Sequence, residues 1–548
     1  MTPATTAAAT SSPWWRGAAV YQIYPRSFFD SNGDGIGDLP GITAHLDHIA
    51  YLGAEAIWIS PFFTSPMVDF GYDVADYCDI DPIFGTLADF DALVARAHAL
   101  GLKVMIDLVF AHTSDQHPWF AESRADRANP KSDWYVWADP RPDGTPPSNW
   151  QSVFGGPAWT WDARRRQYYM HQFLKEQPQL NGHNPAVQEA LLGVTRFWLE
   201  RGVDGFRLDA LNHMMFDPKL RDNPPAPEDG SPRTRPFDYQ DRRYSQDHPG
   251  VVDFIERIAA VCGEYGAIFT VAEVGGARPE PRMKAYTSSD SRLSSAYSFA
   301  FLYAEALTPA LVKGALAKWP GRPDAKGRAE GWPSWAFDNH DAPRSLSRWC
   351  PCYTRAADAT EAEKDRWARL EIAVLVALRG NIFLYQGQEL GLEQDEIPFH
   401  LLKDPEAIAN WPLTLSRDGV RTPMPWDAGA PHGGFTTSEP WLPLSDKNIA
   451  RAVGTQAADP TSLLAHTRYL LGLRKASPAL REGALEGCVA RQDLLAFTRS
   501  CAQESLFCAF NLGAGTLTIK APPGSVLLSI NDGSPELLPP FSAVFIRG

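Results

Sequence analysis

The segment GFRLDA at residues 205–210 has the composition of a short buried strand, yet it carries two charges. Arg207 and Asp209 are two positions apart, and because the side chains of a strand alternate between its faces, both point the same way. Burying a charge costs free energy unless the charge is paired or used in chemistry. The pair is therefore either a structural ion pair in a core or part of a functional site.

Seven further apolar runs of similar length occur between residues 19 and 389, and segments with helical periodicity separate them. Strands that alternate with helices are typical of a parallel sheet, and eight such units favour a closed barrel over an open sheet. The eight predicted strands are 19–25, 56–60, 103–110, 205–210, 269–274, 293–299, 335–341 and 381–389.

Two segments are too long to be ordinary loops. Residues 112–183 follow the third predicted strand and residues 390–460 follow the eighth, at the strand ends where barrel enzymes build their sites. After about residue 485, short alternating runs predict a small antiparallel β-domain. The sequence thus predicts an α/β fold, a (β/α)8 TIM barrel with an inserted domain after strand 3 and a C-terminal antiparallel β-domain. The predicted parts are a disordered lead-in 1–13, the barrel 14–111 and 184–484 with the irregular insertion 390–460, the inserted domain 112–183 and the β-domain 485–548.

The composition argues against several classes of protein. A net charge of −14 over 548 residues disfavours nucleic acid or an anionic membrane as a partner. No run of about 18 apolar residues is present to span a membrane, and the N-terminus has neither the basic nor the apolar region of a signal peptide. Seven cysteines, an odd number, fit reduced thiols better than a disulfide framework. The chain is expected in the cytoplasm, as a monomer or homodimer.

Polar side chains stand at the predicted ends of several strands. They are Asp209 at the end of the fourth strand, Glu273 at the end of the fifth, Asp341 at the end of the seventh and His112 just after the third. The carboxyl ends of parallel strands share one rim of a barrel, so these side chains are expected to converge on a pocket. A purely structural role would pack uncompensated negative charge together, which stability alone does not favour.

Two carboxyl groups on either side of a sugar bond are what glycosidic cleavage requires. One attacks or stabilises the anomeric carbon, and the other, protonated, gives its proton to the leaving oxygen. Arg207 beside Asp209 would keep a nucleophile ionised and oriented. Glu273 lies in the apolar context TVAEV, where desolvation would raise its pKa toward that of a general acid.

At these residues the sequence resembles a known family. GFRLD, the AE of the fifth strand, FDNHD and DLVFAHTS are similar to the four short conserved regions of the α-amylase superfamily of glycoside hydrolases. AVYQIYPRSFFDSNGDGIGDLPGI, GYDVADY, QPQLN and RTPMPWD resemble its α-glucosidase and oligosaccharide α-glucosidase branch, especially bacterial α-glucosidases that transfer glucose to alcohols. The resemblance covers nearly the whole chain.

The resemblance implies roles for individual residues. Asp209 would be the nucleophile, Glu273 the acid/base, and Asp341 the residue that holds the sugar hydroxyls as the ring distorts. The implied substrate-binding residues are His112, His340 and Arg207 lining the glucose subsite, Tyr72 stacking on the sugar ring, Asp73 and Arg421 pairing at the blind end of an exo-acting pocket, and Phe173 forming an apolar wall. Two departures from the family pattern are Ala111, where an Asn is often found, and Gln179, where an Asp is often found.

The predicted activity is that of a retaining exo-acting α-glucosidase that cleaves α-1,4 bonds of maltose-like α-glucosides. The α-1,4 preference rests on Ala210, which follows the nucleophile, because Val at that place in the family accompanies α-1,6 activity. Transfer of glucose to alcohol or phenol acceptors is expected to compete with hydrolysis. The alternatives are a sucrose- or α-1,6-acting glucosidase and a sugar isomerase making trehalose or isomaltulose. A non-catalytic barrel of the transporter heavy-chain type would need a lost catalytic residue and a membrane segment, and neither is found.

Aromatic residues of the two long segments allow two interpretations. Either they cover the mouth of the pocket and favour an alcohol over water, or they form the small cores of the segments themselves. The residues concerned are Trp150, Phe154, Trp159 and Trp411.

A metal site is predicted after the first strand. Residues 30–38, DSNGDGIGD, place oxygen ligands at alternate positions, as in the first part of an EF-hand calcium loop. The twelfth position holds Gly41 where that loop has a bidentate Glu, and a tight solvated turn is the alternative. The predicted cofactor is a structural Ca²⁺, with Mg²⁺ as the alternative. Its ligands would be Asp30, Asn32, Asp34, the Ile36 carbonyl and Asp38.

Overall fold

The structure, a computed structural model, describes residues 12–228, 230, 233–276, 279–319, 331–351, 360–413 and 416–548. Almost all of the predicted lead-in, residues 1–13, lies outside these ranges.

Eight parallel strands close into a barrel, and the eighth strand pairs with the first. Seven of the eight are buried along their whole length, since helices cover the outside and side chains fill the inside, and this explains their near-continuous apolar sequence. The predicted (β/α)8 barrel is confirmed. The strands are Ala19–Ile23, Ala56–Ile59, Lys103–Val109, Gly205–Asp209, Phe269–Glu273, Ser295–Tyr297, Trp332–Ala336 and Asn381–Tyr385.

A helix follows each barrel strand and packs on the outside of the barrel. Several of these helices begin at a side chain that caps the first free backbone N–H groups, for example Asp38, Thr86 and Asn184. The barrel helices are Leu39–Leu52, Leu87–Ala99, Pro185–Glu200, Val251–Gly263, Glu280–Thr287, Pro309–Ala317, Glu361–Ala377 and Leu463–Ala476. Shorter helices are Pro118–Ala125, Ser345–Trp349, Pro405–Asn410, Asp446–Ile449, Val453–Ala457 and Pro478–Glu482.

The seventh strand differs from the prediction. It spans Trp332–Ala336, so Asp341 lies beyond its end rather than at it. The side chain of Asn339 accepts hydrogen bonds from the backbone N–H groups of Asp341 and Ala342, both at 2.9 Å. These two hydrogen bonds form a turn at the place where the predicted strand would have continued.

The segment 112–183 builds a small layer of its own above the third strand. After the helix Pro118–Ala125, it forms a three-stranded antiparallel sheet. Trp150 and Trp159 are buried, and their rings stack with centroids 5.8 Å apart in the core of this segment. Of the two interpretations, the one in which these two aromatics form the segment's own core is therefore confirmed. In spatial order the strands are Trp137–Ala138, Gln167–Met170 and Trp159–Asp162.

The C-terminal region folds as the predicted antiparallel β-domain. Its main sheet has five strands, which lie in the spatial order Ala484–Arg491, Leu494–Ser500, Ser505–Asn511, Ser542–Arg547 and Ser525–Ile530. Two short ribbons complete the β structure, Leu517–Thr518 with Leu537–Leu538 in this region and Phe63–Thr64 with Asp76–Ile80 near the barrel mouth.

None of the helices in the described ranges is long and apolar enough to cross a bilayer.

Cys350 is disulfide-bonded, so the prediction of reduced thiols is wrong at this residue, because an odd cysteine count does not exclude a single bridge. The free cysteines are Cys78, Cys262, Cys488, Cys501 and Cys508.

Candidate active site

One guanidinium group, that of Arg207, organises the carboxyl rim of the barrel. Its Nη1 donates to Asp209 Oδ1 at 2.5 Å and to Asp107 Oδ1 at 2.7 Å, and its Nη2 lies 2.6 Å from Glu273 Oε1. The two charges of GFRLDA therefore do point to the same face, into the barrel. A single cation shared among three buried carboxyl groups leaves the cluster with excess negative charge, which favours the retention of a proton.

The three carboxyl groups are not equivalent. Asp107 and Asp209 accept hydrogen bonds from Arg207 Nη1. Arg207 Nη2 makes no hydrogen bond within the described part of the chain, although Glu273 is close. Glu273 instead accepts from the Ala210 backbone N–H at 3.0 Å. The proton of the cluster is therefore best placed on Glu273, which lacks a charge-assisted hydrogen bond.

Burial sets the acidity of this cluster. It raises the pKa of Glu273 and of Asp209 to about 7 each, and Arg207 opposes the shift in both. Burial likewise raises the pKa of Asp107 to about 6. Because the groups interact, the pair Asp209 and Glu273 titrates as a unit, with one group ionised and the other protonated near neutral pH.

Asp341 stands on the other side of the pocket in a strongly positive environment. Arg421 Nη2 donates to its Oδ1 at 2.8 Å, and Arg417 Nη1 lies 3.4 Å from the same oxygen. Burial alone would raise the pKa of Asp341, but the charges of Arg421 and Arg417 hold that pKa well below its usual range. Asp341 is thus an ionised acceptor for hydroxyl groups.

His340 joins the two sides of the pocket. Gln22 Nε2 lies 2.8 Å from its Nδ1, and its Nε2 lies 2.6 Å from the Tyr72 hydroxyl and 3.3 Å from Asp341 Oδ2. Burial lowers the pKa of His340 to about 3, so the ring is neutral. An amide N–H donating to Nδ1 places the ring proton on Nε2, which has the Tyr72 hydroxyl and Asp341 as neighbours.

His112 and Phe173 form the wall contributed by the inserted segment. Their rings are 5.1 Å apart, and His112 Nε2 lies 3.1 Å from the Tyr72 carbonyl oxygen. Burial lowers the pKa of His112 to about 4. Phe173 also packs against Phe154, at 5.7 Å, and the Arg417 guanidinium group lies 5.1 Å from the Phe154 ring, so these two aromatics form an apolar wall next to Arg417.

Several buried polar atoms of these residues have no hydrogen-bond partner among the described residues. An unpaired buried polar group is costly, and its presence indicates that something else supplies the partner. They are His112 Nδ1, Asn339 Nδ2 and Arg421 Nη1. Such a set suits a ligand with several hydroxyl groups.

The predicted pairing of Asp73 with Arg421 is wrong. Asp73 is fully buried, and its carboxylate accepts from the Ser65 hydroxyl at 3.0 Å and the Val68 N–H at 2.8 Å, as well as from the Asp69 N–H. Its role is to hold the loop 65–73 in shape. Arg421 bonds to Asp341 instead.

The acidic residue of that loop that reaches the pocket is Asp69. Its Oδ1 lies 3.1 Å from Arg417 Nη2, and the same nitrogen lies 2.7 Å from Asp404. Arg417 also approaches Asp341, so a guanidinium group closes one end of the pocket.

The predicted metal loop is compact and hydrogen-bonded within itself. Asp30 accepts from the backbone of Gly33 and Gly35, Asn32 from that of Asp34, and Asp38 caps the first barrel helix through Gly41. In the described ranges no three His, Cys, Asp or Glu side chains are grouped so that they could hold a metal ion. The oxygen-rich loop has the donor chemistry that Ca²⁺ prefers, and the calcium site stays a prediction.

The sequence interpretation missed four residues of the site. Two had a readable signal: Asp107 is an acidic residue inside the apolar run VMIDLVF, and Arg417 precedes RTPM by four residues. The others are Asp69 and Tyr297, whose hydroxyl donates to Glu273 Oε1 at 3.2 Å. The positions of these two depend on turn geometry and on strand register. Gln179, one of the two departures, is fully buried and donates to the His213 carbonyl at 3.0 Å, which ties the inserted segment to the loop after the fourth strand.

Comparison with known proteins agrees with this geometry. The family described as alpha amylase, catalytic domain, matches residues 22–483. A probable alpha-glucosidase of Rhizobium meliloti (strain 1021) is 53% identical over 515 residues, 93% of this chain and 91% of the relative. An oligo-1,6-glucosidase of Heyndrickxia coagulans is 35% identical over 97% of this chain and 98% of its own.

Solved structures give the same result. The crystal structure of an alpha-glucosyl transfer enzyme, XgtA, superimposes with a TM-score of 0.91 at 47% identity, covering 98% of this chain and 100% of the other.

Proposed function

Because the chain belongs to the alpha-amylase catalytic-domain family of glycoside hydrolases, we propose that it is a retaining exo-acting α-glucosidase that cleaves α-1,4 bonds and transfers glucose to alcohols and phenols. The observation that carries the proposal is the pair Asp209 and Glu273, which end adjacent barrel strands and contact the two terminal nitrogens of one guanidinium group.

In the first half of the reaction, an Asp209 oxygen bonds to the anomeric carbon as the glycosidic C–O bond breaks. Glu273 gives its proton to the leaving oxygen, so the leaving sugar departs as a neutral alcohol. In the second half, water or an alcohol bonds to the anomeric carbon, the ester bond to Asp209 breaks, and the proton goes to Glu273. Two carboxyl groups served by one arginine side chain support the short separation of about 5–5.5 Å that retention requires.

The closed end of the pocket supports exo action. Arg417 bridges Asp69, Asp404 and Asp341, and these contacts leave an ion-paired wall where a longer chain would have to continue. We infer that a single terminal glucose unit binds in front of this wall, with Asp341 and His340 placed for its hydroxyl groups. The maltose-like α-glucosides of the prediction meet this requirement.

The bond preference rests on Ala210. It has a left-handed backbone conformation, with φ of 40°, directly after the nucleophile, and its N–H donates to Glu273. A small side chain there leaves room for the leaving sugar of an α-1,4 bond. The second candidate, α-1,6 cleavage, is favoured by the oligo-1,6-glucosidase relative. Sucrose cleavage and sugar isomerisation are further outcomes that the same carboxylates allow.

Transfer to acceptors is supported by the likeness to the alpha-glucosyl transfer enzyme and by the apolar wall of Phe173 and Phe154. An acceptor must be held in line while water is excluded.

For the loop 30–38 we likewise propose a structural Ca²⁺. A cytoplasmic location and a monomeric or homodimeric state remain predictions.

Product analysis tests the proposal. Maltose, isomaltose, sucrose and trehalose are each incubated with the protein, and the products are identified by chromatography. The anomer of the first-formed glucose is followed by NMR with α-glucosyl fluoride, because maltose, isomaltose and trehalose also release glucose as the leaving sugar. We expect α-glucose first, with maltose cleaved faster than isomaltose, and an α-glucosylated phenol when hydroquinone is added. Initial β-glucose would contradict the retaining mechanism, faster isomaltose cleavage would contradict the bond preference, and isomerised disaccharides would identify an isomerase.

A further inference from the structure

The sixth barrel strand ends at Tyr297, a residue with no part in the reaction as described so far. In the parallel pairing of the fifth and sixth strands, Tyr297 lies opposite Glu273. The side chain is buried, and its hydroxyl group lies in the middle of the catalytic cluster. It is 3.2 Å from Glu273 Oε1 and 3.1 Å from Arg207 Nε.

The direction of these two hydrogen bonds follows from their donors. Arg207 Nε–H can only donate, so the Tyr297 oxygen accepts from it, and the hydroxyl proton is left for Glu273 Oε1. Burial raises the pKa of Tyr297 well above its ordinary value, so the hydroxyl keeps this proton throughout the working range. The donor to Glu273 is therefore permanent.

The two oxygens of Glu273 have different surroundings. Oε1 faces the Tyr297 hydroxyl and lies 2.6 Å from Arg207 Nη2, whereas Oε2 accepts, among the residues that the structure describes, only from the Ala210 backbone N–H at 3.0 Å. Two positive or donating groups at Oε1 disfavour a proton on that oxygen. The catalytic proton therefore resides on Oε2.

We propose that Tyr297 is a positioning residue that stabilises the ionised form of Glu273 and so enables it to act as the base in the second half of the reaction. Glu273 must be an acid when the sugar bond breaks and a base when water or an acceptor attacks. A neutral donor assists the change between the two forms without fixing either of them, as a second cation would. This role rests on the retaining mechanism proposed above.

A variant at Tyr297 retains all the other charged and titratable groups around Glu273. Arg207 favours the ionised form of Glu273, and nearby carboxylates oppose it. Removing only the hydroxyl group leaves all of them in place. These neighbours are Arg207 and Asp209 on the adjacent fourth strand, Asp107 on the third strand, Asp341 after the seventh strand, and Tyr303 in the loop after the sixth.

Tyr297→Phe is the variant that tests this role. Loss of a donor to the carboxylate raises the pKa of Glu273, so we expect the alkaline limb of kcat/KM to move up by about one pH unit. With α-glucosyl fluoride, whose leaving group needs little protonation, the second half of the reaction limits turnover. We therefore expect kcat for this substrate to fall severalfold below pH 7, while kcat for maltose falls less.

Tyr286→Phe is the matched control. Tyr286 is a buried tyrosine on the helix Glu280–Thr287, outside the catalytic cluster. We expect its pH profile to match that of the unchanged protein. Thermal unfolding of both variants shows whether the fold is retained.

An unmoved alkaline limb for Tyr297→Phe, or an equal loss of kcat with both substrates and no change in the pH profile, would overturn the proposal. The anomer released from α-glucosyl fluoride by the unchanged protein separates the two hypotheses. If it is α-glucose and the limb does not move, only the role of Tyr297 fails. If it is β-glucose, the retaining mechanism itself fails.

Discussion

Asp107 and Arg207 face each other on adjacent barrel strands, and Arg207 Nη1 donates to Asp107 Oδ1 at 2.7 Å. Because this carboxylate and the nucleophile share one nitrogen of the guanidinium group, Asp107 acts on the reaction without touching the substrate. Its negative charge raises the pKa of Asp209, so it makes the nucleophile harder to ionise, while its hydrogen bond fixes the arginine.

We predict that Asp107→Asn moves the acid limb of kcat/KM to lower pH. Asp209 must be ionised to attack, and activity is lost as the pH falls through the lower of the two pKa values of the Asp209–Glu273 pair, which burial raises. Without the charge of Asp107 that pKa falls, and a shift of about one pH unit is expected. Asp204→Asn, at the opposite end of the barrel beside Lys103 and His98, should leave the limb in place. An acid limb that stays or rises in Asp107→Asn would contradict this account.

Asp69 and Asp73 give a pair of contrasting variants. Asp69→Asn removes one of the charges held by Arg417, so we expect a higher KM with an unchanged melting temperature. Asp73→Asn leaves fewer acceptor oxygens for three donors, so we expect a loss of about 1–3 kcal/mol in the free energy of unfolding with a near-normal KM. Steady-state kinetics and thermal unfolding distinguish the two. A higher KM for Asp73→Asn with an unchanged free energy of unfolding would instead indicate that Asp73 acts in the pocket.

The ion pair between Arg235 and Glu406, at 2.7 Å, joins the loop after the fourth strand to the helix Pro405–Asn410. Arg417, which contacts Asp341, also acts on the Glu406 charge, so the pair lies close to the pocket. We predict that Arg235→Ala and Glu406→Ala each lower the ratio of transfer to hydrolysis, because the acceptor is held less firmly.

A double-mutant cycle measures whether the effect belongs to the pair. If it does, the double variant should behave like either single variant, with the rate of α-glucosyl fluoride consumption retained. The measured quantity is the ratio of glucosylated hydroquinone to glucose. If all three variants give the same ratio as the unchanged protein, the ion pair has no role in transfer.

For the loop 30–38 we predict that Ca²⁺ raises the melting temperature and that EDTA reverses the rise, because a ligand bound only by the folded state stabilises it. Asp34→Asn keeps an oxygen for the hydrogen bond from the Ile36 N–H but loses its charge. The calcium-dependent rise should therefore shrink, while the melting temperature in EDTA stays the same. Asp143→Asn, in an exposed turn elsewhere, serves as the control. A melting temperature that does not change with calcium would contradict a metal site in this loop.

The sequence predicts the barrel and the acidic rim because both depend on strand periodicity. Asp209 and Glu273 end strands that are buried along their whole length, and their position follows from the pattern alone. Asp341 is also in the pocket, but the Asn339 turn that carries it there is not a strand, and the pattern WAFDNHD does not reveal where pairing stops.

The confusion of Asp69 with Asp73 has a different origin. Phe70 and Gly71 have φ values of 53° and 106°, a left-handed turn that reverses the chain between the two acids. A glycine is expected in that conformation but a phenylalanine is not, so the turn cannot be read from residue types. Only the folded loop shows that one carboxylate faces Arg417 and the other faces backbone N–H groups.

Trapping of the covalent intermediate tests the central claim most directly. 5-Fluoro-α-glucosyl fluoride has a good leaving group but slows the breakdown of the intermediate, so the sugar ester accumulates on the nucleophile. After digestion, mass spectrometry of the labelled peptides is expected to find the sugar on Asp209 alone, and Asp209→Asn should carry no label. A label on Glu273 or Asp341, or rapid turnover to β-glucose without any label, would contradict the assignment of Asp209 as the nucleophile.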